Sequence, residues 1–208
     1  MKRFFFLAAL VAATVLPGCK AQETAAPSAM DVIMTRTSIR SFTGEAVSRE
    51  QLETILKAGM AAPTAMNGQP WRFVVVTDKD KIAEVFGQGP RSGMFTTAGA
   101  VIVVCGQTTM MRKPFGQPDA PETEVDNIFW YEDCSAATEN ILLAAHALGL
   151  GAVWTAGYPA MERIAPISEA LGIPAKVVPL CVIPIGVPAE NPDPKDKWKP
   201  ENIHWEQW

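Results

Sequence analysis

The stretch APTAMNGQPWRFVVV, Ala62 to Val76, decides how the rest of the chain is read. It opens as a turn, because Pro63 and Pro70 bracket the Asn67-Gly68 pair, a dipeptide that readily takes left-handed backbone angles. It continues as WRFVVV, Trp71 to Val76, an aromatic and β-branched run with no charge after Arg72, which predicts a buried strand. The turn also presents the side-chain amides of Asn67 and Gln69 together, donors and acceptors of the kind that read the edge of a heteroaromatic ring. On the residues alone the segment can equally be a plain connector.

Upstream of this stretch, Ser48 followed by Gln51 is a capping-box pattern, and Leu52, Ile55, Leu56, Gly59 and Met60 repeat at helical spacing behind it. Further upstream, Asp31 is expected to cap a short helix carrying Val32, Ile33 and Met34, which ends as the chain reaches Arg36 to Arg40. Downstream, AVIVVC (Ala100 to Cys105) predicts a second strand. Gly106 to Glu124 is rich in Pro, Gly, Thr and Met and reads as an excursion over a pocket or a partner, with Met110, Met111 and Phe115 as candidate pocket residues. Asp126 to Leu148 predicts a long apolar helix closed by Gly149 and Gly151, with small residues that permit close packing. Trp130 and Tyr131 near its start are either pocket residues or ordinary helix packing.

AVWT (Ala152 to Thr155) then reads as a short strand and Met161 to Leu171 as a helix. VVPLCVIPIG (Val177 to Gly186) reads as a strand that Pro179 and Pro184 demote to an edge. The tail PDPKDKWKPENIHWEQW carries three of the six Trp residues, so it is expected to pack on something, with a second subunit as one candidate. Helices and strands in this mixed order indicate an α+β domain around a central sheet, not a regular βαβ array. There is no internal repeat, no GxGxxG and no GxxxxGK.

The 208 residues, 48% of them hydrophobic, suffice for one globular domain that needs no disulfide or metal to hold its core. A net charge of -4, with no Lys/Arg run longer than two, argues against a nucleic-acid binder, whose affinity comes from clustered cations. Two His and four Cys, without CxxC or HExxH, make a zinc site or a Ser-His-Asp triad improbable. Cys105, Cys134 and Cys181 fall in apolar patterns and read as small buried hydrophobes.

The first residues, MKRFFFLAALVAATVLPGC, place Lys2 and Arg3 before an apolar run from Phe4 to Leu16 that is too short for a membrane span and suits an export signal. Leu16, Gly18 and Cys19 resemble a bacterial lipobox, so residues 1–18 are expected to be removed and Cys19 acylated, with simple secretory cleavage as the other outcome. Residues 19–29 then form a tether, and residues 30–208 the working domain of an exported, membrane-anchored lipoprotein facing the periplasm or cell exterior. The segment before the apolar run has no twin-arginine pair, so export in the unfolded state is expected, with any cofactor loaded afterwards.

RTSIR, Arg36 to Arg40, sets Arg36, Ser38 and Arg40 at alternate positions of an extended segment. Two permanently charged guanidiniums and a hydroxyl on one side suit a phosphate dianion, although the same pattern also describes a solvated basic edge. In this order, RTSIR, the APTAMNGQPW turn, GLGAVWTAG (Gly149 to Gly157), IPIGVP (Ile183 to Pro188) and the KWKPENIHWEQW tail together resemble the FMN-dependent nitroreductase family over residues 31–208. The resemblance implies an α+β sandwich with a central mixed or antiparallel sheet flanked by helices, and a homodimer holding two FMN molecules at its interface.

Carried over to this chain, the resemblance makes Arg36, Ser38 and Arg40 phosphate ligands, joined by Lys197 or, less directly, Lys199. It puts Asn67 and Gln69 near the flavin ring and ribityl chain, and Trp154, Thr155, Ala156 and Gly157 along the flavin edge through their backbone amides. It implies an oxidoreductase with no catalytic side chain, working by ping-pong hydride transfer through flavin N5. The donor would be NAD(P)H or another reductant, and the acceptor a nitroaromatic, quinone or enone. The other reading on the same pocket is a non-catalytic flavin-binding or redox-sensing lipoprotein. Thr37 stands where the family often has a further Arg.

Overall fold

The computed structural model describes residues 27–208; the export signal, Cys19 and most of the expected tether lie outside the described residues. The domain is built on an antiparallel sheet in the order β1-β2-β7-β5. Its strands are β1 (Trp71–Val76), β2 (Ala100–Gln107), β7 (Val177–Gly186) and β5 (Gly151–Ala152), with β6 (Thr155–Ala156) also paired to β7. A separate two-stranded ribbon joins β3 (Thr109–Arg112) to β4 (Thr123–Asp126). The helices are α1 (Ala29–Thr35), α2 (Arg49–Met60), α3 (Lys79–Phe86), α4 (Gly93–Thr96), α5 (Trp130–Ala147) and α6 (Met161–Ala170).

Strand β2 shows why the sheet sits in the middle. Its side chains alternate, and both faces are covered. Ile102 and Val104 meet Ile55 of α2 and Ile141 of α5, while Val101, Val103 and Cys105 meet Ile82 and Phe86 of α3. This explains the unbroken apolar run: a strand buried on both faces has no polar side to show. Ile55, Ile102, Ile141 and Ile183 are fully buried, each worth about 1.5–3 kcal/mol of burial. Helices α2 and α5 approach closely at Gly59, where an added Cβ would lie 2.9 Å from Ile141 Cγ1.

β1 and α2 follow the sequence closely. Ser48 Oγ accepts from the Gln51 amide and Gln51 Oε1 accepts from the Ser48 amide, closing the expected capping box. Four expectations are corrected. The cap of α1 is Ser28, with Asp31 its reciprocal partner three residues on, so helix begins at Ala29, inside the expected tether. The long helix α5 starts at Trp130, because Asp126 is the end of β4. The excursion after Gly106 is in part regular, with β2 running on to Gln107 and the β3–β4 ribbon following.

The largest correction concerns β7, which is central and paired on both sides. Its prolines sit where the ladder is already interrupted. Pro179 lies opposite Cys105 at a bulge in the β2 pairing, and Pro184 lies opposite the gap between β5 and β6, so few donors are lost.

The three thiols are free and buried, and burial pushes Cys105, Cys134 and Cys181 up to about 12. At pH 8 they stay protonated. In a Cys19→Ser chain these thiols are expected to stay unreactive to a disulfide reagent until the protein unfolds. Rapid labelling of any of them in the native state would contradict the packing.

Candidate functional site

The RTSIR segment leaves α1 in extended form and lies alongside β5, its Ile39 amide donating to the Ala152 carbonyl at 3.1 Å. Ile39 is buried against Val153 and Phe42. Arg36, Thr37, Ser38 and Arg40, on either side of the buried Ile39, line a cleft of about 280 Å³. The C-terminal tail closes the opposite wall with Pro192, Asp193, Lys195 and Lys197. Chain segments some 150 positions apart in the sequence thus bring four cations and one carboxylate together, with Ser38 beside them. Lys195, which the sequence reading passed over, belongs to the cleft, whereas Lys199 does not line it.

Arg36 is the most informative of these residues. Its side chain is 17% exposed, its Nε lies 3.6 Å from Glu139 Oε1, and its Nη1 is buried with no hydrogen-bond partner among the described residues. A buried guanidinium donor without an acceptor is costly. The backbone beneath is braced by Glu190, whose Oε1 accepts from the amides of Arg40 and Ser41. His146 Nε2 sits 2.9 Å from Thr35 Oγ1, and burial, helped by the charge of Arg36, pushes its pKa below the usual histidine value.

Asn67 and Gln69 lie elsewhere, on the turn before β1. Gly68 has φ -70, so it is not the left-handed residue; Met66 (φ 53), Asn67 (φ 53) and Gln69 (φ 46) hold that conformation instead. Three strained non-glycine residues in one turn cost about 1–3 kcal/mol each and persist only where the surroundings enforce them. Here Asp133 Oδ1 accepts from the Ala65 amide at 2.8 Å, Thr64 Oγ1 from the Gln69 amide at 3.3 Å, and Arg72 donates to the Gln69 carbonyl at 3.2 Å. Gln69 Nε2 donates to Asn67 Oδ1 at 3.0 Å, which leaves the Asn67 Nδ2 donors and the Gln69 side-chain oxygen Oε1 free to face a ligand. Asn67 lines a second cleft with Gln107, Thr109 and Asn127, and no residue is common to this cleft and the cationic one.

Trp154 to Gly157 follow β5. Trp154 packs on the core, the Thr155 hydroxyl donates to the Val182 carbonyl at 2.6 Å, and the Gly157 amide donates to the Leu180 carbonyl at 3.0 Å. The Gly157 amide is therefore spent inside the sheet and is not a free donor for a ring, contrary to the expectation for that residue. Asp133, Glu139 and Glu190 carry no signal in the sequence, since each acts on a segment remote from its own and none belongs to a local motif; Arg72 acts locally, on the turn just before it.

The family model of the nitroreductase family matches residues 33–89 and 85–187. The chain belongs to the nitroreductase family. A Methanothermobacter thermautotrophicus protein, provisionally assigned as an NADH dehydrogenase/NAD(P)H nitroreductase, is 40% identical over 86% of this chain and 87% of its own length. A Bacteroides thetaiotaomicron crystal structure with the same provisional assignment superposes with a TM-score of 0.75 at 39% identity, covering 86% of this chain and 98% of that one. A nitroreductase-like structure from Desulfovibrio desulfuricans, solved in complex with FMN, has a TM-score of 0.67 at 29% identity and covers 88% and 98%. As in these relatives, the fold here is α+β around an antiparallel sheet.

Proposed function

We propose that this nitroreductase-family chain is an FMN-dependent oxidoreductase that carries electrons from a reduced donor such as NAD(P)H to a nitroaromatic, quinone or enone acceptor in ping-pong fashion. The observation that carries the reading is the cationic cleft, which gathers Arg36, Arg40, Lys195 and Lys197 around the Ser38 hydroxyl. Its donor set fits a phosphate monoester: forked guanidiniums from Arg36 and Arg40, the Ser38 hydroxyl, and ammonium groups from Lys195 and Lys197. FMN, when bound, supplies a ring nitrogen that accepts a hydride from one substrate and gives it to another.

The chain's own residues bind and orient. Arg36, Ser38, Arg40 and Lys197 would hold the phosphate, and Asn67 and Gln69 would read the ring and its chain with their free amide groups. The segment Trp154 to Ala156 would border the ring. No side chain is needed as a nucleophile.

We read the molecule as a homodimer with its cofactor between subunits. Every residue from 189 to 208 is exposed, and Trp198, Trp205 and Trp208 are 71%, 79% and 100% exposed. Three bare indoles on one strand of tail are poorly suited to water and well suited to a partner subunit. Residues 1–18 and Cys19 we read as an export signal and lipid anchor, which puts the protein away from cytoplasmic NAD(P)H and leaves room for another donor.

Anaerobic addition of NADH, NADPH and dithionite to the flavin-loaded chain, followed by an acceptor, tests the reading. Bleaching by a nicotinamide and recovery with a nitroaromatic or quinone are expected. Bleaching by dithionite alone, with no acceptor able to restore colour, would instead favour a non-catalytic flavin binder.

A further inference from the structure

Next to the Asn67 turn, the β3–β4 ribbon overhangs a third cleft of about 390 Å³, within the size range of small-molecule sites. The register pairs Met110 with Val125 and Arg112 with Thr123, so alternation puts these four side chains on one face of the ribbon, and all four line the cleft. The other face is tied down: Lys176 Nζ donates to Glu124 at 2.6 Å and Thr109 Oγ1 donates to the same carboxylate at 2.9 Å. The remaining walls are largely apolar, from Met66, Phe115, Ile128 and Phe129. Met66, Phe115 and Ile128 are 53%, 94% and 66% exposed, which leaves an uncovered apolar trough.

Charge in this trough is lopsided. Lys113 Nζ is engaged by the Pro118 carbonyl at 2.8 Å, whereas the Arg112 guanidinium has neither an ion-pair nor a hydrogen-bond partner among the described residues. Asp126, the one carboxylate on the lining, stands three positions along the strand from the Arg112–Thr123 level, about 10 Å away. An apolar trough with a forked cation at one end suits a flat aromatic ring that carries an anion at its edge. The trough is continuous with the turn. Met66 and Met110 line both this cleft and the one holding Asn67, and a Cβ placed on Gly68 would lie 3.7 Å from Met110 Cε.

We propose that this cleft receives the electron acceptor and that Arg112 selects aromatic acceptors bearing a carboxylate or sulfonate over neutral ones. That the ligand is an acceptor rests on the oxidoreductase reading; that the cleft binds an anionic aromatic does not.

The probes are 4-nitrobenzoate and nitrobenzene, alike except for the charge. Equilibrium dialysis against the oxidised full chain is expected to show tighter binding of 4-nitrobenzoate, a preference that Arg112→Ala lowers about 3- to 10-fold and Arg112→Glu abolishes. Nitrobenzene binding, flavin content and the rate of bleaching by the donor should not change in either variant. Equal binding of the two probes, or a preference that survives Arg112→Glu, would overturn the proposal. So would a shift in the subunit state of the variants by sedimentation, which would make the trough a subunit contact, or an effect confined to the donor step. A chain that takes up no flavin yet shows Arg112-dependent binding of 4-nitrobenzoate would keep the cleft and reject the oxidoreductase reading. A flavin-loaded, active chain without that dependence would do the reverse.

Discussion

Arg36→Ala is expected to weaken FMN binding by about 1.5–3 kcal/mol, a rise in Kd of roughly 10- to 150-fold, while leaving the flavin-free chain almost as stable as before. The two halves of this expectation have one cause. Arg36 Nη1 is buried without a partner, so in the flavin-free chain the guanidinium is a burden set against a partly exposed pair with Glu139 at 3.6 Å. Removing the side chain gives up that pair, worth at most about 1 kcal/mol at such exposure, and also removes the buried orphan. With a phosphate in the cleft the Arg36 guanidinium, which lines it, gains an anionic partner, and the loss of the side chain is then felt. Lys199→Ala is the control, because Lys199 does not line the cleft. Isothermal titration of both variants with FMN, beside thermal melts of the flavin-free proteins, makes the comparison. Unchanged affinity in Arg36→Ala would remove it from the phosphate site.

Gly106→Ala is expected to lower stability by about 1–3 kcal/mol and the Tm by roughly 2–12 °C. The added Cβ would lie 2.3 Å from Trp130 Cε3 and 2.9 Å from Cys134 Sγ, contacts that no rotamer change at position 106 can relieve. Trp130 is buried and packs edge-on to Tyr158 at 4.9 Å. It also begins α5, the helix whose Asp133 holds the Ala65 amide and so the strained turn. Overpacking here should therefore loosen the Asn67 turn as well as the core. Gly93→Ala, with nothing within 4 Å of its added Cβ, should leave the melt unchanged or raise it slightly. Equal melting temperatures for the two variants would show that α5 can move away from β2 without cost.

Local signals carried the parts of this fold that local forces form. The Ser48/Gln51 box starts α2, and the β-branched run Trp71–Val76 is strand β1 to the residue. Strand β7 departs from the edge position its prolines suggest because a proline's penalty depends on whether its missing donor has a partner to lose, and the bulge and the β5/β6 gap that spare Pro179 and Pro184 are set by other strands. Helix α3 carries a local signal of the same kind: Asp78 accepts from the Lys81 amide as its cap, and Ile82 and Phe86 stand four residues apart on its buried face.

The site divides the same way. Arg36, Ser38 and Arg40 of RTSIR line one cleft together with their neighbour Thr37, and Lys197 lines it as well. Nothing in the sequence indicates that Glu190 braces that segment or that Asp133 braces the turn, because both are single carboxylates acting across many intervening residues. The Gly157 amide was assigned to a ring edge on resemblance, while its bond to Leu180 follows from where β6 ends against β7.

The visible spectrum and flavin content of the purified chain, with and without added FMN, test flavin binding most directly. One FMN per chain, with flavin absorption that Arg36→Ala weakens and Lys199→Ala leaves intact, is the predicted result. A colourless protein that takes up no added FMN would contradict it, and the cationic cleft would then belong to some other anion.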